Sequence, residues 1–204
     1  MTTEERSPSY FEKFKGTKVR SGLPYPKWYV PIIGAIGGFI AIAAVQLLSI
    51  DLDLLPCFIV PFGASCVLIF SAPAAPFSQP RNVIFGHLFS ALVGLAIFAI
   101  CGKACWWSLA IANALAIVVM AATKTIHPPA GATTFLPLLN GITDWSWALV
   151  PVFVGGVILV IVGLLYNNLY KKQSYPAYCG KVPPDSRSAF IERSINPRII
   201  ANQN

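Results

Sequence analysis

The sequence has little charge and few of the residues from which catalytic and metal sites are built. Of its 204 residues only 11% are charged and only two are histidines, whereas 55% are hydrophobic. It has no GxGxxG or GK[ST] phosphate loop, no HExxH helix and no Ser/His/Asp ordering, and two lone histidines do not make a metal site. We therefore expect a protein that is not an enzyme and that holds neither a cofactor nor a metal.

Cysteine is also too sparse and too irregularly spaced to indicate a disulfide framework. The five cysteines form no CxxC pair, three of them lie within apolar segments, and the Cys101-x3-Cys105 spacing is a weak signal. We interpret them as small hydrophobic residues.

The abundance of apolar residues decides the class of protein. With a mean hydropathy of +0.64, the chain has more apolar surface than one soluble core of this size can hide, which predicts an all-α, multi-pass integral membrane protein. The net charge of +7 is concentrated in basic tails at residues 1–27 and 171–204. We expect these tails to contact the bilayer and anionic lipid rather than nucleic acid.

Between the tails, residues 28–170 form the predicted transmembrane domain. Its apolar segments are residues 28–50, 54–72, 83–101, 106–123, 130–139 and 147–169. The stretches 61–71 and 129–139 would each span about 16 Å as helices, roughly half of a hydrocarbon core of about 30 Å. We therefore predict two half-helices.

The two predicted half-helices resemble each other. Residues 61–65 (PFGAS) and 129–133 (PAGAT) match at an offset of 68, and residues 93–95 and 162–164 (both VGL) match at an offset of 69. With three crossings each, repeats at about 28–101 and 105–169 would be inverted relative to each other, an arrangement found in many transporters. Chance is the alternative, because these residues are common in membrane helices.

The distribution of charge predicts the orientation in the membrane. Six crossings place both tails, Arg81 and Lys124 on one side, and place Asp51, Asp53, Lys103 and Asp144 on the other. Only Lys103 departs from the positive-inside tendency, so we expect the tails on the cytoplasmic or equivalent side.

A break interrupts the apolar pattern at residues 123–134, where a cation, an imidazole and two prolines occur together. His127 precedes a proline and Pro129 suits a first helical position, so one helix should end near residue 126 and another begin near 129. Such breaks persist in lipid where they are buried in protein or line a wet cavity, although a loop between two ordinary spans is the alternative.

The start of a half-helix presents N–H groups without partners, and two converging starts would bind a small anion. The predicted substrate-binding residues are Gly63, Ala64, Ser65, Gly131, Ala132, Thr133 and Thr134. Residues predicted to act in gating or access are Arg81, Asn82, His87, Lys124 and His127, with His87 as a candidate proton relay. No acidic residue lies at the breaks, which argues against a cation as the substrate.

Each of these residues also has a simpler interpretation. The two basic residues would follow the positive-inside rule in any membrane protein, His87 would serve as a packed histidine bonded to a carbonyl, and the hydroxyls would bond their own helix turns.

Residues 62–70, 79–87 and 127–133 resemble the three motifs of the HPP family of integral membrane proteins, which is named after the tripeptide at 127–129. The resemblance covers about residues 28–170. Because plant plastid members of this family are nitrite transporters, it implies transport of a small monovalent anion with nitrite as the first candidate. The alternative is a structural subunit of a larger membrane complex, and the sequence leaves assembly into a homo-oligomer open.

Overall fold

The computed structural model describes residues 28–51, 59–169 and 174–177, which form only helices, turns and short connections. The α-helices are α1 (Tyr29–Asp51), α2 (Ile59–Ser71), α3 (Pro80–Cys101), α4 (Trp106–Ala122), α5 (Ala130–Thr133), α6 (Phe135–Asn140) and α7 (Val154–Leu169). A 3₁₀ turn at Pro76–Ser78 precedes α3. The predicted tails at 1–27 and 171–204, apart from 174–177, lie outside the described residues.

Three of the described helical segments are long and apolar enough to cross a membrane. They are Tyr29–Leu47, Pro80–Cys101 and Trp145–Leu169, and two shorter apolar helices lie at Val60–Ser71 and Trp106–Ala122. The three long segments coincide with the predicted apolar segments at 28–50, 83–101 and 147–169. The prediction of an all-helical membrane protein is confirmed at this level.

The second predicted half-helix is interrupted near its middle. Residues 130–140 form α5 and α6, which meet at Thr134, and α6 ends where Gly141 adopts the left-handed conformation. Pro137 has no N–H to donate to the carbonyl four residues earlier, at Thr133, which explains the interruption.

The last span, predicted over residues 147–169, does not begin as a regular α-helix. Trp145–Ala148 is a 3₁₀ helix and Leu149–Phe153 is a π-helix in which Val150 is non-helical, with φ −127° and ψ 110°. Val150 precedes Pro151, whose ring disfavours the α conformation in the residue before it.

Helix α3 lies at the centre of the described fold. It contacts α4, α5, α6, α7 and the short helices before α7, whereas α1 packs against α2 and α7. The buried side of α4 is a stripe of residues spaced four apart, namely Ser108, Ala112, Ala116 and Met120. This spacing places them on one face of the helix, and that face packs against α3.

Two glycines let α3 approach the break and the second half-helix closely. A Cβ on Gly86 would lie 2.8 Å from the Cβ of His127 and 3.5 Å from the Cβ of Ala130. A Cβ on Gly94 would lie 3.1 Å from Cγ of Pro137 and overlap the carbonyl oxygen of Thr134. A larger residue at Gly94 would push α3 away from the second half-helix, and one at Gly86 would push α3 away from the break.

Two glycines on α7 have the same relation to the first half-helix. A Cβ on Gly155 would overlap the ring of Phe62, and a Cβ on Gly163 would lie 2.7 Å from Cγ2 of Ile69. Each half-helix is therefore packed against a glycine-bearing face of a long helix.

Hydrogen bonds bring the start of α1 and the ends of α2 and α7 to one end of the bundle. The hydroxyl of Tyr166 donates to the carbonyl of Ile33 at 2.8 Å, and the amide of Asn167 donates to the carbonyl of Ile69 at 3.0 Å.

Residues 174–177 bind to the same end. The buried hydroxyl of Tyr175 donates to the carbonyl of Ser78 at 2.8 Å, its N–H donates to Asn168 at 3.1 Å, and the N–H of Ala177 donates to Gln79 at 2.9 Å. Burial raises the pKa of the Tyr175 phenol, so it remains a neutral donor. These bonds join the segment after α7 to the turn before α3.

Candidate functional site

The predicted break in the chain is present and is longer than expected. Helix α4 ends at Ala122 and α5 begins at Ala130, so the first helix stops four residues before the predicted position. Lys124 adopts a left-handed φ of 58°, and the N–H of Thr125 donates back to the carbonyl of Met120 at 2.9 Å. This turn closes α4 and directs His127 inward, where its side chain is fully buried.

The start of the second half-helix does not present the free N–H groups that we expected. The N–H groups of Ala130, Gly131 and Ala132 donate to the carbonyls of residues 127, 128 and 129 at 2.9–3.1 Å. Pro128 and Pro129 have no N–H to offer. That expectation is wrong for this start, and donors for a ligand here must come from side chains.

Four buried polar side chains meet beside this start, and we call them the polar cluster: Ser65, His87, His127 and Thr133. Each is at most 1% exposed. Oγ of Ser65 lies 2.8 Å from Nε2 of His87 and 2.8 Å from Nε2 of His127. Nδ1 of His87 lies 2.7 Å from Oγ1 of Thr133. The cluster therefore joins α2, α3, the 123–129 break and α5.

Backbone carbonyls and an aromatic ring complete the surroundings of the cluster. Nδ1 of His127 donates to the carbonyl of Phe77 at 2.7 Å, and the hydroxyl of Ser65 lies 3.1 Å from the carbonyl of Pro61. The ring of Phe62 meets His87 edge to face, with 4.8 Å between the ring centroids. Both imidazoles are thus held by partners on each nitrogen.

These contacts test the simpler interpretations of His87 and of the hydroxyl groups. His87 is a packed histidine, but its two nitrogens bond two side-chain hydroxyls and not a carbonyl. Ser65 lies close to the carbonyl of its own helix turn, as a membrane-helix serine commonly does, and also bonds both imidazoles.

The structure does not bring all the predicted substrate-binding residues together. Ala64 and Ala132 are exposed, a Cβ on Gly63 would meet nothing within 4 Å, and a Cβ on Gly131 would lie 3.5 Å from Oδ1 of Asn113. These small residues lie away from the polar cluster.

Thr134 lies between α5 and α6 and is fully buried. Its hydroxyl oxygen has no hydrogen-bond partner within the described residues.

The predicted access residues Arg81 and Asn82 hold the break in position. Nη2 of Arg81 donates to the carbonyl of Thr123 at 3.1 Å, and the amide of Asn82 donates to the carbonyl of Ile126 at 2.8 Å. Lys124 is exposed beside them. Two cations therefore lie near the break, at the end of the fold where α3 begins and α4 ends.

Sequence reasoning missed the part played by Phe77 and Pro61. Both act through backbone carbonyls, which every residue type carries, so no residue pattern could have identified them.

The polar cluster consists of two imidazoles and two hydroxyls, groups that can donate and accept hydrogen bonds. Within the described residues no group of three His, Cys, Asp or Glu side chains could hold a metal ion. The acidic residues of that part of the chain are Asp51 and Asp144. Asp144 is exposed in the loop after α6, where hydrogen bonds from Ser146 lower the pKa of its carboxyl.

The chain is similar to a known family of membrane proteins. The family model described as HPP, transmembrane region, matches residues 24–176. Two transmembrane proteins of Dictyostelium discoideum are similar to the chain, one 35% identical over 181 residues and the other 31% identical over 182. Each alignment covers 83% of this chain and 57% or 62% of the relative, so the chain spans about three fifths of the relatives' length. No solved structure matches significantly.

Proposed function

The chain belongs to the HPP transmembrane family, and from that premise we propose that it transports a small monovalent anion through the polar cluster. One observation carries the proposal: a buried imidazole, His87, bridges Ser65 and Thr133 at the place where the two half-helices meet. Ionisable residues are expensive inside a membrane protein and mark transport pathways there.

The charges of the site favour an anion over a cation. The nearest charged side chains at the break, Arg81 and Lys124, are both positive, and no carboxylate of the described residues contacts the cluster. A dehydrated anion needs donors around it, and imidazole N–H and hydroxyl groups supply them. Nitrite is the first candidate through the family resemblance.

The proposed architecture has two inverted repeats of three crossings each, and the surroundings of four glycines support it. An offset of 68 or 69 relates Gly86 to Gly155 and Gly94 to Gly163, and it relates Phe62 to Ala130 and Ile69 to Pro137. A Cβ added to each glycine would lie within 4 Å of other residues, including Ala130 for Gly86, Phe62 for Gly155, Pro137 for Gly94 and Ile69 for Gly163. Exchanging the repeats converts each of these pairs into another member of the set, which supports an internal repeat.

The same correspondence relates Ser65 to Thr133. Both hydroxyls bond His87, one at each ring nitrogen. In this proposal His87 lies where the repeats meet, the usual position of the substrate site in transporters of this architecture.

The proposed topology places both tails on the cytoplasmic or equivalent side. We expect single cysteines at residues 10 and 190, in a background without native cysteine, to react with an impermeant maleimide from one side. An Asp144→Cys variant should react from the opposite side and is the matched control. Tail cysteines that label from opposite sides would contradict the proposal.

Anion flux is the direct test of function. Liposomes containing the purified protein should take up nitrite, nitrate, formate or chloride faster than empty liposomes, whereas urea should not move. Lys124→Ala should lower the initial rate a few-fold from its own side, because a cation at the mouth raises the local anion concentration. Lys103→Ala is the matched control, since Lys103 is exposed at the other end of α3.

One observation favours the alternative of a structural subunit. Each side chain of the polar cluster is buried and already hydrogen-bonded, as expected of a core that only holds helices together. If no anion moves faster than through empty liposomes, the transport proposal fails and the structural role replaces it.

A further inference from the structure

The hydrogen bonds of Ser65 indicate which nitrogens of the neighbouring imidazoles carry a hydrogen. Its hydroxyl has one proton to donate and two lone pairs with which to accept. Three partners lie within hydrogen-bond distance: Nε2 of His87, Nε2 of His127 and the carbonyl of Pro61. All three contacts are hydrogen bonds only if two of the partners donate to Ser65 and the third accepts from it. The carbonyl can only accept, so the two imidazoles must donate.

The partner of Nδ1 on each imidazole decides whether the ring is neutral or positively charged when its Nε2 donates to Ser65. Nδ1 of His127 faces the carbonyl of Phe77, an acceptor, and therefore carries a hydrogen. If Nε2 of His127 also carries one, His127 is an imidazolium cation. Nδ1 of His87 faces the hydroxyl of Thr133, which can donate to it, so His87 can donate through Nε2 and remain neutral.

With both imidazoles neutral, the best arrangement leaves one contact without a hydrogen. Thr133 donates to His87, His87 donates to Ser65, Ser65 donates to His127, and His127 donates to Phe77. The proton of Ser65 then points to His127, and no hydrogen lies between Ser65 and the carbonyl of Pro61, 3.1 Å apart. One added proton on Nε2 of His127, with the Ser65 hydroxyl turned to Pro61, satisfies every contact.

We propose that the polar cluster binds one proton at Nε2 of His127 and that this proton crosses the membrane together with the anion. The inference rests on the proposed function and names the coupling ion of the same site. The proton adds to a ring lone pair on one side and leaves from the same atom on the other, while the Ser65 hydroxyl turns toward Pro61 and back. No other bond changes.

The burial of His127 explains why proton and anion would cross together. An imidazolium removed from water is costly unless an opposite charge accompanies it. Among the described residues, the titratable or charged side chains on the elements packed around the cluster are Cys66 on α2, Arg81 and Cys101 on α3, Lys124 at the break and Tyr175 next to Ser78. None of them is a carboxylate, so the described residues supply no fixed counter-charge there. The transported anion supplies it, and the pair crosses without net charge.

The test uses the full chain in liposomes with nitrate and nitrite as probes, an internal pH dye, and empty liposomes as the control for passive loss of the acid. We expect one proton to enter per anion. A pH gradient of one unit, alkaline inside, should accumulate the anion about tenfold. A membrane potential set with potassium and valinomycin should leave uptake unchanged.

The matched variant is His127→Asn, whose amide can still donate toward the carbonyl of Phe77 but cannot take up a proton. It should lose the response to the pH gradient, whereas Ser90→Ala should keep it. If anions cross but respond to the potential and not to the pH gradient, proton coupling is refuted and anion transport stands. If no anion crosses, the proposed function is refuted and the coupling with it. If His127→Asn does not fold, the proton-to-anion ratio of the unmodified protein still shows whether a proton crosses with each anion.

Discussion

Replacing Ser65 with alanine should destabilise the protein by about 2 to 4 kcal/mol, because it removes one partner from each of two buried imidazoles. Both rings are fully buried, so water does not compensate them. The measurement is the free energy of unfolding in mixed detergent and denaturant, followed by helical circular dichroism. Any anion flux should fall together with stability, since the same hydroxyl joins the two histidines.

Ser90→Ala is the matched control for this effect. Ser90 is also a fully buried serine, and it lies on α3, but the hydrogen bond of its hydroxyl within the described residues is to the sulfur of Met120, at 3.7 Å. A thioether is a weak acceptor, so this substitution should cost well under about 1 kcal/mol. Equal losses of stability in the two variants would show that the polar cluster has no special role.

Replacing Gly94 with alanine should destabilise the protein by about 2 kcal/mol. Alanine favours a helix by about 1 kcal/mol relative to glycine, but overpacking against a rigid backbone costs about 3 kcal/mol, the upper end of the usual range, which leaves a net loss of about 2 kcal/mol. The new Cβ would overlap the carbonyl oxygen of Thr134, which belongs to the backbone and cannot rotate away. Helix α3 and the second half-helix would have to separate. The unfolding measurement used for Ser65→Ala applies here too.

Gly63→Ala provides the control, because Gly63 lies in helix α2 and a Cβ there meets nothing within 4 Å. This variant should be unchanged or more stable by up to about 1 kcal/mol, from helix propensity alone. If Gly63→Ala and Gly94→Ala shift stability in the same direction, the close approach of α3 to the second half-helix is not what stabilises the fold.

The polar cluster and the close contact of α3 with the second half-helix belong to one structural unit. The polar cluster takes its side chains from α2, α3, α5 and the 123–129 break, and the glycines of α3 set how closely α5 approaches. A substitution that separates α3 from α5 should therefore also separate His87 from Thr133. Gly94→Ala should alter anion flux as well as stability, whereas Gly63→Ala should alter neither greatly.

The sequence alone determined the class of protein, the positions of the long helices and the site of the break. These follow from local causes. A long run of apolar residues has to be helical in lipid, and a proline removes a donor and restricts the residue before it wherever it occurs. The same local rule, applied to Pro137 and Pro151, would also have predicted the interruption at Thr134 and the irregular turn at Val150.

Only the tertiary structure decided which of the predicted residues come together in the polar cluster. Gly63, Ala64 and Ser65 are consecutive, yet only Ser65 points toward the histidines, because successive residues of a helix face different directions and the packing of α2 decides which direction is inward. His87 and His127 are 40 residues apart in the sequence, and a shared hydroxyl joins them. The partners of His127 and Ser65 include backbone carbonyls of Phe77 and Pro61, which leave no trace in residue identity. A hydrogen-bonded cluster depends on distances between segments, and those distances exist only once the helices have packed.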